Sequence, residues 1–164
     1  MSKNIPLAFF WGISKAFNTI DNRILLQKLQ VYGIRGCALK WFCSYLSDRS
    51  QCVCIDDICS TFLQIKCGIP QGSILGPLLF NIYINDIVKT SHLFQFIFAD
   101  DTNLFASHSN LDELLKIVNQ ESAKISNWLK INKLSLNVEK PHYIIFHNRH
   151  KKIPLGSKIG RAHV

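Results

Sequence analysis

Two adjacent aspartates, Asp100 and Asp101, follow the apolar run at residues 93–98, and this arrangement constrains the fold more than any other feature. Neighbouring side chains of an extended strand point to opposite faces, so the two carboxylates can converge only at a tight turn. The apolar run before the pair and residues 103–105 after it therefore predict a β-hairpin. An Asp-Asp turn alone is usually just a turn, because aspartate hydrogen-bonds its own backbone.

The composition favours one domain of residues 1–157 with a partner that is negatively charged. The chain has 164 residues, of which 48% are hydrophobic, and this is enough for a single core. Its formal charge of +8 suits a polyanion, although many globular proteins are equally basic. Residues 5–13 are too short to span a bilayer and lack a cleavage site after them, so we expect a buried strand and an intracellular protein.

Six cysteines occur without a CxxC pair or a clustered histidine, so the sequence predicts neither a zinc site nor a redox motif. They are Cys37, Cys43, Cys52, Cys54, Cys59 and Cys67. Free and mostly buried thiols are the expected state, which favours a reducing compartment, but the even number leaves disulfides open.

The remaining pattern predicts strands interleaved with helices, which gives an α+β fold whose sheet is covered by helices mainly on one side. The expected elements are helices near residues 24–32, 39–46, 73–88 and 109–128, a hairpin with arms 51–55 and 61–67, and a last strand at 143–146. Ser73 is the expected cap of the third helix, and a capping box from Ser109 to Asp112 opens the fourth.

The last seven residues, 158–164, differ in character from the rest of the chain. They match the translation of a common sequencing adapter in one reading frame, so we expect a non-native tail. An ordinary basic tail is the alternative. Without Lys158 and Arg161 the formal charge falls from +8 to +6, so the preference for a polyanion remains.

Four segments resemble, in the same order along the chain, the core motifs of reverse transcriptases encoded by non-LTR retrotransposons. Their residues are similar to those of the jockey-like group. They are Ser14-Lys15-Ala16-Phe17-Asn18-Thr19-Ile20-Asp21, Gly68-Ile69-Pro70-Gln71-Gly72-Ser73, Phe98-Ala99-Asp100-Asp101 and Leu134-Ser135-Leu136-Asn137-Val138-Glu139-Lys140. The resemblance covers about residues 5–148. It implies a polymerase palm, in which an antiparallel sheet carries helices mainly on one face.

The resemblance also implies roles for four residues that would contact substrates. Phe17 corresponds to the aromatic gate that clashes with a ribose 2′ hydroxyl, and Lys140 to a lysine near the triphosphate. Gln71 and Gly72 would lie against the incoming nucleotide and the template. Without the motif series, Phe17 would be read as a core aromatic and Lys140 as a solvated charge.

The metal site implied by the resemblance is incomplete in this sequence. Asp100 and Asp101 correspond to aspartates that bind Mg²⁺ or Mn²⁺, and two such ions stabilise the attacking and leaving oxygens in phosphoryl transfer. The family has a third, bridging aspartate where this chain has Gly12, which offers no oxygen. Asn18 replaces another family aspartate. Asp21 lies too far along the chain, in or near a helix start, to substitute easily for the bridging aspartate.

We therefore expect a fragment of an RNA-directed DNA polymerase that is inactive as written. The parent would use an RNA template, a DNA primer and deoxynucleoside triphosphates, with no membrane partner. The fingers, the thumb and the upstream endonuclease domain of such polymerases are expected to be missing. The alternative is a non-catalytic nucleic-acid-binding module, or the product of a decayed element.

Overall fold

The computed structural model describes residues 4–137 and 142–146. Their helices and strands are β1 Ile5–Gly12, α1 Asn22–Val31, α2 Gly36–Leu46, β2 Ser50–Gln51, β3 Cys54–Ile55, β4 Ile58–Cys59, β5 Leu63–Gln64, α3 Leu75–Ile84, β6 Phe94–Phe98, β7 Asp101–His108, α4 Leu111–Ile131 and β8 His142–Ile145. Short 3₁₀ helices occupy Ala16–Asn18 and Asn85–Lys89. The chain forms two compact units, one of Met1–Ser14 with Asp86–Val164 and the other of Lys15–Asn85.

The first unit is built on a four-stranded antiparallel sheet with the strand order β6-β7-β1-β8. β1 lies inside the sheet and pairs with β7 over its whole length, from Ile5 opposite His108 to Gly12 opposite Asp101. Its mostly apolar sequence suits this interior position, because both of its edges and one of its faces are covered. The predicted strand at residues 5–13 is thus confirmed.

One face of this sheet carries the core of the first unit. Leu7, Phe9 and Trp11 alternate along β1 and are buried, and Leu104 on β7 lies on the same face, opposite Phe9. Helix α4 contacts β7 and buries one apolar stripe. The stripe consists of Leu114, Leu115, Val118, Ile125, Trp128 and Leu129. The predicted α+β fold with an antiparallel sheet is confirmed.

The opposite face is open along the edge strand β6. Phe94, Phe96 and Phe98 alternate on this face and are 69%, 54% and 70% exposed. The Phe94 ring lies 5.9 Å from the ring of Phe105, its partner on β7. Aromatic pairs at this distance stabilise a sheet even where the face is solvated.

The second unit consists of three α-helices, the short 3₁₀ helix Ala16–Asn18 and a pair of small ladders. Helix α1 contacts both α2 and α3, and Leu25 and Leu29 on α1 are fully buried. The Asp21 carboxylate caps α1 by accepting from the backbone N–H groups of Arg23 (2.9 Å) and Ile24 (3.1 Å). Asp21 is therefore the N-cap of α1, which agrees with its expected position in or near a helix start.

Two predicted helix starts are displaced by one or two residues. The N-cap of α4 is Asn110 rather than Ser109, since the Asn110 side chain accepts from the N–H groups of Asp112 and Glu113. Helix α3 begins at Leu75, and Ser73 accepts the Gly76 N–H at 3.0 Å from just before the helix. The expected single hairpin at 51–67 is split into two ladders, β2 with β5 and β3 with β4.

The prediction of free and mostly buried thiols is wrong. Cys54 and Cys59 form a disulfide, Cys52 is half-buried, and Cys37, Cys43 and Cys67 are exposed. The reason is that residues 53–64 are exposed throughout, so the hairpin offers its thiols no buried position. Within residues 4–137 and 142–146 no helix is both long and apolar enough to cross a membrane.

Candidate active site

The aspartate pair lies at the turn between β6 and β7. Ala99 and Asp100 form the turn itself, and Asp101 opens β7 opposite Phe98. Ala99 has a left-handed φ of 51°, an uncommon conformation for a residue with a Cβ. Asp100 and Asp101 are both exposed. The predicted tight hairpin is confirmed, with its turn one residue earlier than the Asp-Asp pair and β7 beginning at Asp101 rather than at 103.

Gly12 lies directly opposite Asp101 at the end of β1. A Cβ built on Gly12 would lie 3.5 Å from Oδ1 of Asp101 and 4.0 Å from the backbone oxygen of Asp100. These are ordinary van der Waals contacts, and the Gly12 backbone does not have a left-handed φ. A side chain at position 12 would therefore start beside the aspartate pair without strain.

Backbone hydrogen bonds hold this end of the sheet together. Ile13 N–H donates to the Asp100 carbonyl at 2.8 Å, and Asn137 N–H donates to the Gly12 carbonyl at 2.8 Å. Ser14 N–H donates to the Ser135 carbonyl, also at 2.8 Å. Three separate segments of the chain are thus fixed at the position where the two carboxylates emerge.

The side chains present do not fit a site for two divalent cations. Asp100 and Asp101 supply carboxylate oxygens, but Gly12 supplies none, and hard dications take six or more oxygen ligands. In the part of the chain that the structure describes, no group of three or more His, Cys, Asp or Glu side chains is placed to hold a metal ion. A carboxylate at position 12 would start beside this pair and would add a third donor group.

The second unit contains the other candidate residues, held by contacts between the loop at residues 15–21 and the loop at 67–73. Gly68 N–H donates to the Ile20 carbonyl at 2.7 Å, and Ile69 N–H donates to the Phe17 carbonyl at 3.0 Å. Gln71 Nε2 donates to Oδ1 of Asn18 at 2.7 Å. Gly72, with a φ of +74°, is exposed beside Gln71. The two sequence motifs are therefore joined directly.

Phe17 is half-buried, and its ring stacks on the buried ring of Phe80, with centroids 4.7 Å apart and planes at 29°. Phe17 therefore packs on a buried aromatic ring although the residue is only partly buried. Lys140 and the tail at 158–164 lie outside the described residues.

Sequence reasoning missed two residues of this second unit. Gly68 has a φ of +86°, and a Cβ there would lie 2.8 Å from the Asn18 carbonyl oxygen. Asn18, noted only as a departure from the family, is the hydrogen-bond partner of Gln71. The sequence did contain one indication of this contact, because the glycine before Ile69-Pro70 lacks a Cβ and so allows another backbone segment to come close.

The profile of the family described as "Reverse transcriptase (RNA-dependent DNA polymerase)" matches residues 3–156. The chain belongs to the reverse transcriptase family. This match contains the hairpin with Asp100 and Asp101 as well as both joined loops of the second unit.

Two relatives of this reverse transcriptase segment come from Drosophila melanogaster. The RNA-directed DNA polymerase from mobile element jockey is 30% identical over 181 residues, covering 98% of this chain and 18% of the relative. A probable RNA-directed DNA polymerase from transposon BS is 27% identical over 147 residues, covering 81% of this chain and 16% of the relative. The segment thus spans less than a fifth of either relative. The predicted membership in a jockey-like non-LTR group is confirmed.

A solved structure shares the fold. Apo telomerase from Candida tropicalis, truncated from the C-terminal domain, superposes on 90% of this chain and 32% of its own chain, with a TM-score of 0.64 at 16% identity. The predicted palm-like α+β fold of this reverse transcriptase segment is therefore confirmed.

Proposed function

We propose that this chain is the palm segment of an RNA-directed DNA polymerase from a non-LTR retrotransposon, and that it does not catalyse polymerisation as written. The observation that supports inactivity is the position of Gly12, whose missing side chain would start 3.5 Å from Oδ1 of Asp101. The intact parent would add deoxynucleotides to a primer 3′ end along an RNA template. Mg²⁺ or Mn²⁺ would supply charge stabilisation there.

The roles of the other candidate residues follow from their family positions and their surroundings. Phe17, braced by Phe80, would exclude a ribose 2′ hydroxyl, and Gln71 and Gly72 would face the nucleotide and the template. Lys140 would lie near the triphosphate. If metal stabilisation supplies several kcal/mol, its loss slows the reaction about a thousandfold or more, at roughly 1.4 kcal/mol per decade.

Metal binding tests the proposal without requiring polymerisation. Gly12→Asp should tighten Mn²⁺ binding by at least about tenfold, because a third carboxylate joins the pair. Gly12→Asn is the matched control, since it adds nearly the same volume without a charge, and it should change the affinity little. Alanine at both Asp100 and Asp101 should cancel the gain. Calorimetry or the electron paramagnetic resonance of free Mn²⁺ measures each affinity.

Primer extension tests activity directly. The unmodified chain should extend no primer with Mg²⁺ or Mn²⁺. Gly12→Asp should restore extension only in a chimaera that supplies the flanking segments of the jockey polymerase, because metals cannot help a primer that is not held in place. Extension by the unmodified chain would refute the inactive assignment. Equal Mn²⁺ affinity in all variants would show that the site lies elsewhere.

A second candidate function is non-catalytic binding of nucleic acid, which the formal charge of +8 favours. Such a module would bind polynucleotides with or without a divalent cation.

A further inference from the structure

The hairpin formed by β3 and β4 brings three sulfur atoms to one face. Ile55 and Ile58 close a two-residue turn at Asp56 and Asp57. In an antiparallel ladder, hydrogen-bonded pairs alternate with pairs whose side chains approach more closely. The next pair outward is Cys54 and Cys59, whose Cα atoms are 4.1 Å apart and whose sulfurs are bonded.

The third sulfur belongs to Cys52. This residue lies between β2 and β3 and precedes Cys54 by two positions. The Cys52 and Cys54 Sγ atoms are 3.9 Å apart. The backbone at this point is held by Ser60, whose N–H donates to the Val53 carbonyl at 2.8 Å and whose hydroxyl accepts the Val53 N–H at 3.0 Å.

We propose that Cys52, Cys54 and Cys59 form a thiolate binding site for Zn²⁺ when the disulfide is reduced. Zn–S bonds of about 2.3 Å in a tetrahedral site place neighbouring sulfurs about 3.8 Å apart, close to the separation already present between Cys52 and Cys54. Thiolates are the ligands that soft and borderline metals prefer. The carboxylates of Asp56 and Asp57 in the turn add negative charge that favours a cation.

The disulfide and the zinc site exclude each other. In the disulfide form two of the three sulfurs are bonded together, and the described residues then contain no group of three metal-binding side chains. A dithiol reductant donates two electrons and two protons to the Cys54–Cys59 bond and leaves as a cyclic disulfide. Zn²⁺ then displaces the protons of three thiols, and water completes the fourth position.

The other cysteines are suitable controls, because they lie apart from this hairpin. Cys43 lies on α2 with its sulfur 3.9 Å from the Ser47 hydroxyl oxygen, and Cys67 donates to the Asn18 carbonyl at 3.3 Å. Cys37 is exposed at the start of α2. Serine at any of these positions leaves the three hairpin sulfurs unchanged.

The test uses the full chain reduced with a phosphine under nitrogen, and Co²⁺ as the spectroscopic probe. The reduced chain should bind one Co²⁺ with thiolate charge-transfer absorption, and Zn²⁺ should displace it. Cys52→Ser should weaken binding by about a hundredfold or more, whereas Cys43→Ser should bind like the unmodified chain. Alanine at Asp100 and Asp101 should leave the thiolate bands unchanged, which separates this site from the aspartate pair.

Folding of the Cys52→Ser hairpin is checked independently, because reoxidation should still form the Cys54–Cys59 disulfide, seen as the loss of two hydrogens by mass spectrometry. The unreduced chain should show no thiolate bands. The proposal is overturned if the reduced chain lacks those bands, or if Cys52→Ser retains them. Equal loss of binding in Cys43→Ser would also overturn it, since the sulfurs would then come from a different set.

Discussion

One glycine in each unit shows an opposite consequence of a missing Cβ, Gly12 in the first unit and Gly68 in the second. At Gly12 there is room for a side chain, because a built Cβ would lie 3.5 Å from Oδ1 of Asp101. At Gly68 there is none, because a Cβ would meet the Asn18 carbonyl oxygen at 2.8 Å and the backbone φ is +86°. Position 12 therefore tolerates larger residues, and position 68 requires glycine.

Gly68→Ala should destabilise the chain by about 3 kcal/mol or more, because it combines a backbone clash with a left-handed φ. Gly72→Ala is the matched control. Gly72 has a φ of +74° but nothing within 4 Å of a built Cβ, so only the conformational cost of about 1 to 2 kcal/mol applies. Urea unfolding measures both. Equal losses for the two variants would mean that the contact with Asn18 is not close.

For single residues, the sequence predicted the turn that carries the two aspartates better than it predicted which residues contact each other. The apolar run and the adjacent aspartates were enough to locate the hairpin that carries Asp100 and Asp101. The hydrogen bond from Gln71 to Asn18 was not predictable, since it joins residues 53 positions apart whose approach depends on packing of the two loops. The position of Gly12 opposite Asp101 is a matter of strand register, which local pattern does not fix.

Among the elements, α4 shows where pattern reasoning succeeds and where it fails. Its apolar stripe predicted the helix and its buried face, because a long amphipathic period has few alternatives. Its start was wrong by one residue, since Ser109 and Asn110 are both good caps and only the backbone geometry selects Asn110. The short ladders β2–β5 and β3–β4 carry too few residues to reveal their registers in advance.

Helix α4 also fixes the segment that leads into β6. Glu121 is 8% exposed, accepts the His92 N–H at 3.1 Å and pairs with Lys124 at 2.6 Å. Burial alone would raise the pKa of Glu121, but hydrogen bonds from Lys124, Ser91 and His92 outweigh it and lower the pKa below the ordinary value of 4.5. The ionised carboxylate therefore stabilises the folded chain.

Because the pKa of Glu121 is lower in the folded chain, its stabilisation is complete above pH 4.5 and is lost as pH falls through the folded value. Glu121→Gln should cost about 1 to 2 kcal/mol at neutral pH, and the difference from the unmodified chain should shrink in acid. The free energy of unfolding, measured by urea between pH 7 and pH 3, gives both values.

Glu113→Gln is the control on the same helix. Glu113 makes an exposed pair with Lys116 at the same spacing, so its removal should change stability little at any pH. A constant effect of Glu121→Gln across the pH range would contradict the role of its charge.

At the scale of the whole molecule, charge is the property that acts at a distance. The formal charge of +8 attracts polyanions without reading their sequence. We expect weak binding to single-stranded RNA and DNA, with dissociation constants above about 1 μM at physiological salt and little sequence preference. Fluorescence anisotropy across a salt series measures the affinity, which should fall linearly on logarithmic axes.

A chain ending at residue 157 keeps a formal charge of +6 and should bind with a slightly smaller salt dependence. Its thermal midpoint should equal that of the full chain if residues 158–164 are a non-native tail. Tight binding that is insensitive to salt would contradict the electrostatic explanation, and a lower midpoint would show that the tail packs.

Three backbone hydrogen bonds at the end of the four-stranded sheet make its local opening measurable by amide hydrogen exchange. Each of them protects one amide proton from deuterium, and the three bonds are Ile13 to Asp100, Ser14 to Ser135 and Asn137 to Gly12. The slower these protons exchange, the larger the free energy needed to open the segment beneath the two carboxylates. If all three exchange at one rate, that end of the sheet opens as a unit. The exchange half-lives then report how often the backbone beneath Asp100 and Asp101 opens, and the measurement requires no nucleotide, primer or metal.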